Sequence, residues 1–410
     1  MEHYDSLETR DPEVRERDLM AALPRQVADA KAFAPAYAEL LRDIDADAVT
    51  TRAALAALPV VRKSELHDRQ QAAPPFGGFV GHWRGRMGRV FASPGPIYEP
   101  EGRGDDYWRT ARAMFAAGIR AGDLVHNSFS YHMTPGAWIM DAGARALGCT
   151  VFPGGVGQTE QQVQAIVDLR PDAYAGTPSF LKILLDKADE LKLDVASLKK
   201  ALVSGEAFPP SLRDALRARG VDGYQAYATA DLGVIAYESR AREGLIADEG
   251  VILEIVRPGT GDPVPDGEVG EVVVTLFNAD YPLLRFGTGD LSAVLPGISP
   301  CGRSNRRIKG WLGRADQTTK VKGMFVHPAQ VADVLRRHPE IRRARLVVDN
   351  ASGQDRMTLR CAAPTAAENL AAAIVASLRE VTKLRGEVAF CADADLPNDG
   401  KVIEDIRKYE

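Results

Sequence analysis

The sequence predicts an α/β protein: a large N-terminal domain with mostly parallel sheets plus a small β-rich part, and a small α+β lid domain at the C-terminus. Three observations predict it. From Asp106 to Tyr227 short apolar runs alternate with longer stretches of helical spacing, which implies right-handed crossovers and parallel strands covered on both faces. From Gly250 to Phe277 the chain changes to ILEIV and EVGEVVVTLF, joined by Pro/Gly/Asp-rich links, the pattern of antiparallel strands. Beyond Asp316, strand and helix patterns alternate again over a stretch that suits one compact domain. The expected domains are therefore 1–315 and 316–410, with a hinge at Asp316 beside Arg314 and the basic segment Lys320 to Gly323.

Taken in order, apolar residues from Asp11 to Ile44 recur at roughly helical spacing, with Pro24 and Pro35 read as breaks between two or three helices. Pro59 to Gly77 reads as a loop and cap on the core. The alternating region is expected as helix 107–117, strand 124–129, helix 136–147, strand 150–153, helix 159–169, strand 173–176, helix 178–191, strand 201–204, helix 210–219 and strand 223–227. The C-terminal part is expected as helix 328–337, strands 344–349 and 357–362, helix 366–382 and strand 387–391. Ligands of such folds bind beyond the carboxyl ends of the parallel strands.

Composition narrows the function classes. A chain of 410 residues exceeds one ordinary core, and 45% apolar with 26% charged residues describes a globular enzyme-sized protein. The net charge of −5, with acids and bases interleaved, gives no electrostatic footprint for nucleic acid or an anionic membrane, so a small-molecule ligand is expected. The four cysteines lie far apart with no Cys-x-x-Cys pair, so reduced thiols in a cytoplasmic protein are expected. The charged N-terminus lacks the apolar run of a signal peptide, and no stretch approaches ~20 consecutive apolar residues.

Chemistry concentrates at Leu283 to Gly323. There LLRFGTGDLS reads as an apolar strand that ends in a glycine-rich turn delivering Asp290, a carboxylate able to accept two hydrogen bonds from vicinal hydroxyls such as those of a ribose. Arg314, Asp316 and Lys320-Val321-Lys322-Gly323 follow, and Leu396-Pro397-Asn398-Asp399-Gly400-Lys401 closes the series. Together and in this order the three motifs resemble the signature series of adenylate-forming enzymes, most closely the phenylacetate–coenzyme A ligases. The resemblance spans Pro59 to Lys401 and is densest from Leu284 onward.

That resemblance implies an ATP-dependent acyl–coenzyme A ligase, an acid–thiol ligase that activates an aromatic carboxylic acid as acyl-AMP and passes it to the coenzyme A thiol. Lys401 takes the catalytic place, its ammonium aimed at charge developing on the α-phosphate. Ser93 and Gly95 stand in the phosphate-cradling loop, Gly205, Glu206 and Ala207 in the loop against adenine, and Tyr227, Ala228, Thr229 and Ala230 in the adenine and α-phosphate motif. Asp290 and Arg314 hold ribose, and Lys322 and Gly323 line the passage for the thiol. Asp231 takes the magnesium position. Tyr131, His132, Trp138 and Gly233 fall in the acyl pocket. The chain departs from the family where Glu99 replaces the loop lysine and Pro94 and Pro96 remove two amide donors. Ser239, Ser299 and Cys301 stand where some relatives bind a structural zinc, and one thiolate predicts no zinc. Expected cofactors are thus ATP, magnesium and coenzyme A, the partner is a small carboxylic acid, and a homodimer is left open. Two alternatives stay open: an adenylating enzyme that passes the acyl group to an amine or carrier protein, and a ligase-fold protein that binds a nucleotide or acyl ligand without efficient ATP chemistry.

Overall fold

The computed structural model describes residues 2–257, 260–315, 317, 319–322, 324–326, 328–351, 355–363, 368–396 and 401–407. It divides into two compact units, Met1–Leu312 and Gly313–Glu410. The expected hinge residue Asp316, and Gly323 of the basic segment, lie outside the described residues.

In the first unit the alternating region folds as a sheet whose parallel part runs, in spatial order, Asp222–Thr229, Lys200–Val203, Ala173–Gly176, Leu124–Asn127 and Thr150–Pro153. Side chains alternate across it. Ala173, Ala175 and Leu202 face a core with Met114, Ile139 and Met140, whereas Tyr174, Ala201 and Val203 face Val163, Leu181, Leu185 and Leu216. Helices Thr110–Ala116 and Gly136–Ala146 therefore cover one face, and Thr159–Leu169, Pro178–Leu191 and Pro210–Ala218 the other. Caps fix where they start: Asp106 Oδ1 accepts the Thr110 amide at 2.8 Å, and Thr177 caps the helix that opens on Pro178. The same sheet continues antiparallel through Gly233–Glu238, Leu245–Ala247, Arg307–Ile308 and Val294–Leu295.

A second sheet carries Val61–Arg62, Phe286–Ser292, Gly270–Leu276 and Val251–Val256, the first pair parallel and the rest antiparallel. Its strands read as continuous apolar runs because both faces are covered, one of them by the N-terminal helix Pro12–Phe33 through Leu23, Val27 and Ala30. That helix runs straight through Pro24, so the expected break is corrected. A proline inside a helix costs about 3 kcal/mol; burial of Leu19, Met20, Leu23 and Val27, each worth about 1.5–3 kcal/mol, outweighs it. Asp11 caps the start through the amides of Glu13 and Val14. Pro59 to Gly77, read as a loop and cap, instead contains strand Val61–Arg62 and helix Lys63–Ala72.

The glycine-rich turn expected at Arg285 to Asp290 is also corrected. Phe286–Ser292 is one strand, and its partner register passes from Val273 opposite Gly287 to Glu271 opposite Leu291. Thr288, Gly289 and Asp290 therefore all face Val272 across the ladder, a bulge made possible by the left-handed conformation of Gly289 (φ 74°).

Within the second unit, strands Glu387–Phe390, Arg356–Ala362, Arg343–Asp349 and Ile403–Asp405 form a sheet in that order, with helices Pro328–Arg337 and Glu368–Thr382. Val331, Val334, Leu346, Leu359, Ile374 and Leu378 make its core. Strands Thr319–Val321 and Met324–Val326 pair as a separate hairpin.

Candidate active site

Two clusters of polar side chains meet the carboxyl end of strand Asp222–Thr229. In the first, the Tyr227 hydroxyl donates to Asp290 Oδ2 at 2.8 Å and lies 3.1 Å from Thr288 Oγ1, while Trp311 Nε1 donates to Asp290 Oδ1 at 3.1 Å. Thr288 in turn donates to the Val272 carbonyl and accepts the Asp290 amide, both at 3.1 Å, so the bulge holds its own acid in place. A carboxylate offers about four lone-pair sites. Tyr227 and Trp311 occupy one oxygen each, which fixes the plane of the carboxylate.

The second cluster lies around Asp231, in the turn that follows Thr229. Its side chain is fully buried: Oδ2 pairs with the Lys63 ammonium, and Oδ1 has no hydrogen-bond partner. Lys63 arrives from the start of helix Lys63–Ala72, directly after the strand that pairs with Phe286 and Gly287. Glu99 sits within electrostatic reach of both. It is fully buried on the hairpin of Arg89–Ser93 and Ile97–Glu101, where its carboxyl group meets the Ser93 hydroxyl and accepts the Ser93 amide at 3.2 Å. Burial above all, then the nearby Asp231 charge, pushes the Glu99 carboxyl up to about 8, with Lys63 and Ser93 opposing. Gly95 is exposed in the turn of this hairpin.

Gly205, in the left-handed conformation (φ 83°), and Glu206 are exposed in the loop after strand Lys200–Val203. Glu206 Oε1 accepts the Ser179 amide at the start of helix Pro178–Leu191, and Ala207 is half-buried. Ala228, Thr229 and Ala230 are half-buried beside Tyr227, and Thr229 Oγ1 accepts the Leu232 amide at 3.2 Å, which sets the turn that aims Asp231 inward.

Tyr131 and Trp138 stack edge-on, ring centroids 5.3 Å apart, and the Arg89 guanidinium lies 4.0 Å from the Trp138 ring centre. Phe91 of the hairpin approaches the same indole, and the Met133 carbonyl accepts the Ala92 amide at 2.9 Å, so hairpin and aromatic loop are held together. Tyr131 is fixed by donating to Asp141 Oδ2 at 3.0 Å and accepting from Asn127 Nδ2 at 2.9 Å. His132 is exposed. Gly233 (φ 68°) has the place of its missing Cβ filled by Trp108, 2.8 Å from that residue's carbonyl oxygen.

In the second unit, Arg314 lies on strand Gly313–Arg314. Lys322 is exposed, and its amide donates to Asp355 Oδ2 at 2.9 Å. Lys401 is exposed just before strand Ile403–Asp405; its carbonyl accepts from Arg345 Nε at 3.2 Å. Pro397 to Gly400 of its motif lie outside the described residues.

Where the zinc ligands of some relatives would stand, Cys301 Sγ lies 3.2 Å from Ser299 Oγ and 3.6 Å from Arg303 Nη1, and Arg303 pairs with the buried Glu8. A guanidinium occupies the cationic side of that sulfur. Among the described residues no group of three His, Cys, Asp or Glu is arranged to hold a metal ion. Nor is any described helix long and apolar enough to cross a membrane.

Sequence reasoning missed Lys63, Thr288 and Trp311 as parts of these clusters. Thr288 and Lys63 lay inside segments covered by the resemblance but were given no role there, whereas Trp311 carried no local signal.

Known proteins resemble this chain in both sequence and fold. The AMP-binding enzyme family matches residues 109–276. The phenylacetate–coenzyme A ligase of Aromatoleum evansii is 33% identical over 335 residues, covering 78% of this chain and 74% of its own length. That of Thermus thermophilus is 32% identical over 338 residues, again covering 78% of this chain and 74% of the relative. Among solved structures, 2-hydroxyisobutyryl-CoA ligase in complex with 2-HIB-AMP and CoA superposes with a TM-score of 0.79 at 25% identity, covering 98% of this chain and 92% of that one. With sequence likeness of this extent and the same architecture, the chain belongs to the phenylacetate–coenzyme A ligase family of adenylate-forming, acid–thiol ligases.

Proposed function

We propose that this chain converts an aromatic, phenylacetate-like carboxylic acid to its coenzyme A thioester through an acyl-adenylate made from ATP. The observation that carries the reading is the Tyr227–Asp290–Trp311 cluster: a buried carboxylate, an acceptor group suited to the vicinal hydroxyls of a ribose, held in a fixed orientation by two ring donors. Tyr227, whose hydroxyl points to Asp290, offers its ring face to adenine, with the Gly205 to Ala207 loop on the other side. Arg314 assists at the ribose. Tyr131, Trp138 and Phe91 supply flat apolar surface for an aromatic acid, with His132 at its exposed edge and Gly233 backing Trp108, which packs on Phe91.

Attack of the substrate carboxylate on the α-phosphorus forms a C–O–P linkage and expels pyrophosphate. Negative charge grows on the non-bridging oxygens, and Lys401 is the cation assigned to them. The coenzyme A thiolate then attacks the acyl carbon and AMP leaves, with Lys322 and Gly323 beside the thiol's path. Asp231 takes the magnesium position in this reading, its Oδ1 being a hard oxygen donor without a partner, although Lys63 already pairs with Oδ2; such an ion would be shared with the phosphates and would neutralise their charge. In this reading 1–315 carries the nucleotide and acyl site and 316–410 supplies Lys401, with Asp316 as the hinge.

The test is carboxylate-dependent exchange of labelled pyrophosphate into ATP, scanned over aromatic, fatty and cyclic acids. Exchange stimulated by arylacetates, and lost ~100-fold or more in Lys401→Ala while thioester formation from supplied acyl-AMP persists, is the expected result. No exchange with any acid would refute the assignment.

A further inference from the structure

Glu99 is the group that the reaction above leaves unused, and its position is unusual. The hairpin tip has few donors to give a phosphate, because Pro94 and Pro96 carry no N–H. Of the remainder, the Ser93 amide and hydroxyl both engage the Glu99 carboxyl group. That side chain is not a surface acid turned away from the site. Glu99 is 0% exposed, folded beneath its own hairpin and in the field of Lys63 and Asp231. The nearby cation is committed as well, since Lys63 is paired with Asp231.

We infer that the Glu99 carboxyl group is a built-in occupant of the phosphate cradle, which makes Glu99 a specificity-determining residue that favours AMP and acyl-adenylate over ATP. The inference rests on the functional reading above and deepens it. Adenosine monophosphate and the acyl-adenylate need the ribose and adenine contacts of Asp290 and Tyr227, but no second or third phosphate has to be seated. ATP must place its β- and γ-phosphates where Ser93 already has a partner, displacing a carboxyl group that is fully buried beneath the hairpin. Occupancy rather than charge is the operative feature, because a neutral carboxyl fills the same donors.

The experiment is calorimetric titration at pH 7 of the full chain with AMP and, separately, with ATP plus magnesium, for wild type, Glu99→Ala and Glu99→Gln. In the wild type ATP is expected to bind no more tightly than AMP. Glu99→Ala vacates the cradle, and the ratio Kd(AMP)/Kd(ATP) should rise about tenfold or more, the scale of one or two hydrogen bonds to a charged group. Glu99→Gln keeps the occupant and should hold the wild-type ratio. Unaltered AMP binding in both variants serves as the folding control. A ratio unchanged in Glu99→Ala overturns the proposal, and so does a Glu99→Gln ratio that rises as far as that of Glu99→Ala. If neither nucleotide binds the wild type, the functional reading falls first and takes this proposal with it.

Discussion

The Tyr227 hydroxyl reaches Asp290 Oδ2 at 2.8 Å, tying the last parallel strand of the large sheet to the bulged strand of the second sheet. The residues are far apart in sequence, so the bond exists only because both sheets are formed. It converts a buried acid into an oriented one, and orientation is what a ribose requires.

Tyr227→Phe removes that donor while keeping the ring. A hydrogen bond to a buried charged group is worth about 1.5–3 kcal/mol, so the variant should lose roughly tenfold or more in AMP affinity and unfold at lower urea concentration. Asp290→Ala should lose more nucleotide affinity than Tyr227→Phe, because the hydroxyl-accepting oxygens go with it. Titration calorimetry gives both numbers. Equal AMP binding in Asp290→Ala and wild type would remove the ribose assignment.

Arg285, which opens the expected glycine-rich turn, is a structural residue in the fold. Its guanidinium is buried, donating to the carbonyls of Ala56, Leu58 and Gly261 and pairing with Glu254 at 3.1 Å. Arg285→Met leaves a buried carboxylate and three carbonyls without their donor, a loss of roughly 3–5 kcal/mol in unfolding free energy. Urea denaturation should show it, and Arg285→Met/Glu254→Gln should recover part.

Glu99 gives stability a pH slope of definite sign. Its carboxyl is raised from 4.5 to about 8, so between those values the folded chain keeps a proton that the unfolded chain has released. The contribution is fully present below pH 4.5 and is lost as pH rises through 8. Asp231, Lys63 and Tyr281 are the ionisable groups around it. Relative to Glu99→Gln, the wild-type Tm should therefore fall from pH 5 to pH 8, by ~2 °C or more. Parallel melting profiles for the two proteins would place Glu99 in an environment unlike this one.

Most of the parallel region was legible because buried strands and amphipathic helices leave opposite periodicities: Thr150–Pro153, Thr159–Leu169, Ala173–Gly176 and Pro178–Leu191 match the expected spans. Pro24 misled because local propensity is a small term beside the burial of the face around Leu23. Arg285 to Asp290 misled because a glycine-rich run between apolar residues reads alike as turn or bulge, and only the register opposite Val272 separates them.

By itself, then, the sequence determined the order of strands and helices, the family and the residue types available for chemistry, since these follow from periodicity and motif. Which of those residues share a place was decided by tertiary structure: Lys63 against Asp231, Trp311 against Asp290, Glu99 turned under its hairpin onto Ser93. Such contacts join positions distant in the chain or buried by packing, and hydrogen bonds in a low-dielectric interior select them only after the sheets have brought their carriers together.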